Sequence, residues 1–437
     1  MSKPKTKNDI AWEKLFEKYH VLDRIEKNGS LSISAKTIKE FREPRLMAKF
    51  DHRINLPQIF EKNRLAILPI SRGDYVISHF DAYHTFENAK NSIQYFRLPD
   101  YIQSLSANNI SSETVALNCA LASGMLSDFL EEEQTTLLPT VCGRMGSGAF
   151  SFKILNKMES QFTNINVHNS QIEIDAAIEG IESLTLFEAK NDISDDFLIR
   201  QLYYPYRVWK DRVIKKVRPV FMMYTNGVFR FYEYKFTDSE CYNSLYLVKQ
   251  KNYTLETPID TNIELPDLME ILDQITDYVP EPKIPFPQAD VFERVINLCE
   301  LLQEGDISRQ KVTDQYAFDI RQANYYSDAG RYLGLIDKYY ESGRKPVYTL
   351  SEFGKQVMNM PYKKRQLTLC RQILQHKVFN QAFRLCESGD VPNKPTIIQL
   401  MKQGSLYGVK AEETFLRRSS TISGWINWMI KLLQKDE

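Results

Sequence analysis

Polar and apolar residues alternate from Ile172 to Ala176, with Ile172, Ile174 and Ala176 on one face and Glu173 and Asp175 on the other. A period of two predicts a β-strand. Ser183 to Phe187 is a second apolar, β-prone run, and it ends in Glu188-Ala189-Lys190. Gly180 to Glu182 is short enough to join the two runs as a hairpin. Glu188 and Lys190 stand two apart and share a face of their strand. The pattern therefore predicts Asp175, Glu188 and Lys190 together on one side of a sheet.

Around this hairpin the periodicity changes. Phe197, Leu198, Leu202 and Tyr206 fall near helical spacing within 195–209. Arg218 to Tyr224 and Gly227 to Tyr234, joined through Asn226-Gly227, predict another hairpin. Upstream, Val115, Leu117, Ala120, Leu121, Met125, Leu126 and Phe129 predict a helix over 110–135 that packs on the sheet. The glycine-rich stretch from Leu138 to Gly148 contains no Gly-Lys-Ser/Thr and so no phosphate-binding loop of the Walker type. It reads as a loop before a first sheet strand at 149–154. Residues 8–28 predict one amphipathic helix and 29–34 a strand. Residues 38–53 place Arg42, Arg45, Lys49 and Arg53 at three- to four-residue steps, as on one face of a helix.

The C-terminal half is mostly helical in pattern. Six prolines and an acidic run mark 255–288 as a linker with one helix near 266–277. Beyond it come a helix from Asp290 to Gln303, a short one from Ser308 to Tyr316, and a longer one from Ile320 to Leu335. A two-stranded segment from Ile336 to Leu350 follows, then a helix capped by Ser351. Residues 362–437 predict three further helices, the last from Glu413 to Leu433.

Composition narrows the class. No run of about 18 apolar residues is present, so no membrane span is expected, and the start Met-Ser-Lys-Pro-Lys-Thr-Lys lacks the apolar core of a secretory signal. The six cysteines are scattered without a CxxC pair. They read as reduced core thiols of a cytoplasmic protein. Net charge is zero but unevenly placed: 15 Lys/Arg against 9 Asp/Glu in 1–65, 13 against 6 in 361–437, and 8 acidic residues beside the single Lys283 in 255–285. Basic ends around an acidic connector fit a nucleic-acid partner.

The trio has a chemical use. Two carboxylates and a backbone carbonyl make a hard-oxygen site for Mg²⁺, and a lysine beside it can orient a water and offset charge in a transition state. From the residues alone a solvated hairpin with a cross-strand ion pair remains open. At Asp175 and Glu188-Ala189-Lys190 the chain resembles the PD-(D/E)xK nuclease superfamily, with Ile174 where that signature usually has proline. The resemblance implies Mg²⁺ on Asp175, Glu188 and the Ala189 carbonyl, with Asp175, Glu188, Lys190 and Gln201 catalytic. Gln201 stands where many members carry a glutamine on the next helix. It also implies a further acid on the helix over 110–135, Glu113 or Glu132. Arg144, read from the glycine-rich loop itself, is a candidate DNA contact near the active site, with a plain turn as the alternative.

Residues 289–356 resemble a winged helix, and 362–437 a further winged-helix-like helical unit. The run Arg417-Arg418-Ser419-Ser420-Thr421 before Trp425 and Trp428 is similar to the terminal helix of restriction endonucleases with C-terminal winged helices. That implies DNA contacts from Arg321, Gln322, Asn324 and Tyr325, from a wing tip at Arg344 and Lys345, and from Arg417, Arg418, Ser419 and Thr421. The expected fold class is an α/β restriction-endonuclease-like (PD-(D/E)xK) core. An N-terminal α+β domain precedes it (1–100, core 101–250), and winged-helix domains follow a linker at 251–288 (289–360 and 361–437). The expected function is a Mg²⁺-dependent type II restriction endonuclease acting on double-stranded DNA, as a homodimer where the target is palindromic. Two other readings stay open: a winged-helix DNA-binding regulator with a degenerate nuclease fold, and a structure-directed repair nuclease. Discrete fragments from intact duplex would separate the first from both.

Overall fold

In the computed structural model of the chain, the structure describes residues 5–87, 92–107, 110–158, 160–255, 262–315, 318, 320–341, 345–386 and 390–433. Three units follow one another along the chain.

The N-terminal unit contains helices α1 (Lys7–Tyr19) and α2 (Val21–Asn28), strand β1 (Leu31–Ser34), the short helices α3 (Ala35–Lys39), α4 (Pro44–Ala48) and α5 (Gln58–Lys62), and strands β2 (Ala66–Pro69) and β3 (Asp74–Ser78). The single helix expected over 8–28 is broken at His20, whose φ of 48° ends one helix and starts the next. The helix expected over 38–53 is two short helices, because Pro44 has no N–H to continue one from α3 and opens α4 instead. Its four basic residues therefore diverge. Arg42 donates to Asn8 and Arg53 to the Tyr83 carbonyl, while Arg45 and Lys49 turn to a groove described below.

The central unit is built on a seven-stranded mixed sheet of order β5-β14-β13-β12-β10-β9-β6. Its strands are β5 (Ile93–Tyr95), β6 (Leu138–Gly146), β9 (Gln171–Glu179), β10 (Ser183–Lys190), β12 (Lys216–Thr225), β13 (Val228–Phe236) and β14 (Leu245–Thr254). Strands β7 (Ala149–Asn156) and β8 (Gln161–His168) form a separate ribbon, and β4 (Tyr83–Thr85) pairs with β11 (Asp196–Leu198). The glycine-rich stretch is thus itself the edge strand β6, and 149–154 lies outside the main sheet. Residues 78–100, read from sequence with the N-terminal unit, supply β4 and β5 to this one. Phe197 and Leu198 belong to β11, and the helix after Lys190, α8 (Arg200–Lys210), begins only beyond them.

The β9–β10 hairpin forms with Phe187 opposite Ala176. α8 then crosses over so that β12 runs parallel to β10. The β12–β13 turn has Asn226 and Gly227 at φ of 50° and 76°, the paired positive angles that Asn-Gly accepts at least cost. The helix expected over 110–135 is α6 (Glu113–Ala122) and α7 (Met125–Leu130), separated at Gly124 with φ of 88°. Their apolar faces pack on Ile178, Phe187 and Ala189.

The C-terminal unit holds α9 (Leu265–Gln274), α10 (Phe292–Gln303), β15 (Ile307–Ser308), α11 (Arg309–Gln315), α12 (Ile320–Tyr332), β16 (Ile336–Glu341), β17 (Lys345–Leu350), α13 (Glu352–Met358), α14 (Tyr362–Leu374), α15 (Lys377–Arg384), α16 (Lys394–Gln403) and α17 (Glu412–Lys431). β15, β17 and β16 form a three-stranded sheet. Two expectations change here. The acidic stretch before residue 289 is not a free linker: Leu268, Ile271, Leu272 and Phe286 are buried in the same core as Trp425 and Met429. Residues 362–433 show only helices of substantial length among the described residues, with no wing of their own. Phe379 stacks on Trp425, and Trp425 packs edge-on to Phe292, so one core joins 289–360 to 361–433.

Candidate active site

The end of β10 is where the central unit opens. Asp175 on β9 accepts a hydrogen bond from the Ala189 N–H at 2.8 Å, replacing the backbone partner that the splaying strands no longer supply. Lys190 donates to a Glu188 carboxylate oxygen at 2.5 Å and to the Ala189 carbonyl at 3.0 Å. Gln201, in the first turn of α8, donates its amide to the same Glu188 oxygen at 2.5 Å. Its own amide oxygen is buried with no hydrogen-bond partner. These residues line a cleft of about 400 Å³ with Glu113, Asp51 and Asp192.

Structure resolves the pair left open by sequence. Glu113 sits in the first turn of α6, whose N-cap is Ser112, and both line the cleft. Glu132 lies at the hairpin's far end, where its carboxylate accepts from the Ser183 hydroxyl at 2.6 Å and the Glu182 N–H at 3.2 Å. It is a brace for the turn. Gly180 permits this approach, since a Cβ there would come within 1.9 Å of the Glu132 carboxylate.

Asp51, from the loop after α4, was not singled out from sequence. Its carboxylate stands 3.4 Å from Lys49 and adds to the field at Lys190. The loop is pinned by His52, whose Nδ1 lies 2.5 Å from the Asp196 carbonyl. No local signal links Asp51 to Lys190, because the two are joined only by the packing of the N-terminal unit.

The electrostatics are unbalanced. Burial first, and Asp175 second, push the Glu188 carboxyl up to about 8 against the pull of Lys190. Burial pushes Glu113 up to about 7, with Asp175 and Asp192 adding and Lys190 opposing. Burial would lower Lys190, yet Glu188, Glu113, Asp175 and Asp51 hold its ammonium well above the usual range. One ammonium thus serves several carboxylates that repel one another.

Among the described residues no three His, Cys, Asp or Glu side chains converge tightly enough for a site made of side chains alone. The donor set is instead two carboxylates and a carbonyl. The Lys190 ammonium already bridges Glu188 to the Ala189 carbonyl, where a cation would find hard oxygens. The residues present fit Mg²⁺ on these grounds.

The residues expected at DNA are divided. Arg144, on β6, lines the cleft and faces Glu173 at 3.0 Å. Ser419 is buried and donates to the Leu416 carbonyl, and Thr421 is buried and accepts from the Ala289 N–H at 3.0 Å. Both are enclosed in the core, where α17 packs among α10, α15 and α16, so neither side chain is exposed to a partner. Arg418 is half-buried and Arg417 exposed. On α12, Arg321, Gln322, Asn324 and Tyr325 are half-buried, and Asn324 accepts from the Tyr348 hydroxyl at 3.3 Å. Lys345 opens β17, while Arg344 lies outside the described residues. The basic run after Gln201 is largely structural. Arg218 makes a two-pronged buried pair with Glu233, Arg207 and Lys210 hold Ser239, and Lys215 holds Glu179.

All six cysteines are free; Cys142, on the edge strand, is exposed and so is not the core thiol expected. Among the described residues no helix is long and apolar enough to cross a membrane. Residues 9–77, 78–254 and 294–434 each match the profile of a domain of unknown function, respectively DUF6996, DUF6997 and DUF7226. Their limits follow the packing, with a break at the end of β3 and a single C-terminal segment. No curated protein and no solved structure matches the chain.

Proposed function

We propose that this chain is a Mg²⁺-dependent endonuclease of the PD-(D/E)xK type that hydrolyses phosphodiester bonds of double-stranded DNA in the cytoplasm. The observation that carries the reading is the meeting of Asp175, Glu188, Lys190 and Gln201 in one polar cleft, at the end of a helix, strand, hairpin, helix, strand sequence. Asp175, Glu188 and the Ala189 carbonyl would hold Mg²⁺, which supplies Lewis-acid neutralisation of the scissile phosphate and a more acidic bound water.

The chain's own residues account for the rest. Lys190, kept protonated by its carboxylate neighbours, orients the attacking water and offsets the charge that grows on the phosphate. Gln201 holds the Glu188 carboxylate in one orientation. Glu113, poised at about 7, can take a proton from the attacking water or return one to the leaving oxygen. The order of α10, β15, α11, α12 and the β16–β17 ribbon supports a winged helix. With it comes a target read by sequence, as for a type II restriction endonuclease, in preference to a regulator or a nuclease that reads shape.

The test is digestion of unmethylated phage-sized DNA with Mg²⁺ or EDTA, beside Lys190→Ala. Discrete Mg²⁺-dependent bands, absent from the variant, are expected. Cleavage retained by Lys190→Ala would remove the site assignment, and a smear would favour a nuclease directed by structure.

A further inference from the structure

The cleft continues into a second groove of about 520 Å³, and the two share Lys49, Asp51, Arg144, Glu173 and Arg200 in their walls. The groove's other wall is the N-terminal unit. Arg45 comes from the first turn of α4, and Arg72 from the turn between β2 and β3. Arg72 reaches across to the edge strand: a Cβ at Gly146 would stand 3.8 Å from its guanidinium.

The two compartments differ in charge. Seven acidic and four basic residues line the cleft, whereas three acidic and five basic residues line the groove. Three of the five bases have local partners: Lys49 faces Asp51 at 3.4 Å, Arg144 faces Glu173 at 3.0 Å, and Arg200 reaches the Gln171 carbonyl at 3.5 Å. The exposed side chains of Arg45 and Arg72 have no ion-pair or hydrogen-bond partner among the described residues. A polyanion cannot approach the acidic cleft without compensation, because like charges repel over roughly a Debye length. Two uncompensated guanidinium groups at its mouth supply that compensation, and they suit phosphate oxygens in geometry as well as charge.

We propose that Arg45 and Arg72 of the N-terminal unit bind backbone phosphates of the DNA strand that is cut, beside the scissile bond. This rests on the nuclease reading for the identity of the strand. It assigns the N-terminal unit a part in substrate binding that its basic composition only suggested. It also explains how the chain grips DNA although Ser419 and Thr421 of α17 are turned into the core.

The experiment is anisotropy binding of a fluorescein-labelled DNA duplex of two helical turns, in Ca²⁺ in place of Mg²⁺, across a salt series. The full chain is compared with Arg45→Gln/Arg72→Gln and with a control in the same unit, Lys14→Gln/Lys27→Gln. The double arginine variant should bind about tenfold or more weakly, with the slope of log K against log salt reduced by about two units, and the control should match the parent. Both arginines are exposed and unpaired, so the melting temperature should stay the same. If it falls, Arg72→Gln alone serves, with a slope change of about one unit expected. Equal affinity and slope in the arginine variant overturn the proposal, and the nuclease reading survives if the parent still cleaves with Mg²⁺. Arginine-dependent binding without any cleavage keeps the groove and removes the nuclease reading. A parent chain that binds no duplex removes both.

Discussion

In the polar cleft at the end of β10, Glu188 is 8% exposed and presents its carboxylate to an open cavity; on α17, Thr421 is 1% exposed and its hydroxyl accepts from the Ala289 N–H. Both are buried polar residues inside largely apolar elements, and both were read from sequence as functional. Their surroundings divide them. Thr421 closes its hydrogen bonding within the protein, so its polarity serves the joint between α17 and the segment that leads into α10. Glu188 shares one lysine with Asp175, Glu113 and Asp51, and its charge is left partly uncompensated. A buried polar group that the fold satisfies is architecture. One that the fold leaves in deficit is available for a ligand.

The largest effect that would sharpen this contrast comes from Glu188→Gln. It removes a carboxyl that burial and Asp175 already push up to about 8 while keeping its shape. Cleavage should fall on the order of 10³-fold, yet the melting temperature at pH 7 should rise, because the buried site keeps this carboxyl largely protonated while the unfolded chain ionises it, and glutamine lacks that cost. A fall in melting temperature would mean that the deficit assigned to the cleft is absent.

Next in size is the acid sensitivity of the C-terminal core. His376 is buried, with its ring stacked 4.2 Å from Tyr332 and its Nδ1 without a hydrogen-bond partner. Burial lowers its pKa from 6.5 to about 4. Between those values the unfolded chain binds the extra proton, so the stability is fully present above about pH 6.5 and is lost as pH falls towards 4. The loss should reach up to about 3 kcal/mol between pH 7 and 4. Urea unfolding of His376→Phe, which keeps the stack, should show a flatter dependence on pH. Parallel curves for the two proteins would assign the acid loss to other groups.

The smallest effect tests α17. Thr421→Val should leave the Ala289 N–H buried and unsatisfied, at a cost of about 1–2 kcal/mol in stability. DNA affinity measured well below the melting temperature should stay the same. A loss of affinity with unchanged stability would return Thr421 to the DNA-facing side.

Much of the site was legible because its grammar is local. An alternation of period two, a three-residue turn and a Glu-x-Lys pair bring Asp175, Glu188 and Lys190 to neighbouring strand positions wherever the sheet lies. Gln201 was reached only through the family resemblance, since a polar residue early in a helix carries no local sign that it meets Glu188. The glycine-rich strand β6 was not legible, because glycine weakens the strand pattern, and only pairing with β9 makes those residues extended. The joined C-terminal core was hidden too. Nothing between Asp290 and Trp428 in sequence shows that α17 lies against α10, so an amphipathic helix with a basic start looked like a DNA-facing surface.

By itself, then, the sequence determined the β9–β10 hairpin and the three side chains it carries, since backbone periodicity and turn length act over a few residues. Tertiary structure alone decided that Glu113 joins them while Glu132 braces the turn. It also decided that Asp51 arrives from the N-terminal unit, that Arg45 and Arg72 face the same groove, and that Ser419 and Thr421 turn inward. Each of those outcomes depends on which distant surfaces bury one another, and burial is a property of the packed chain.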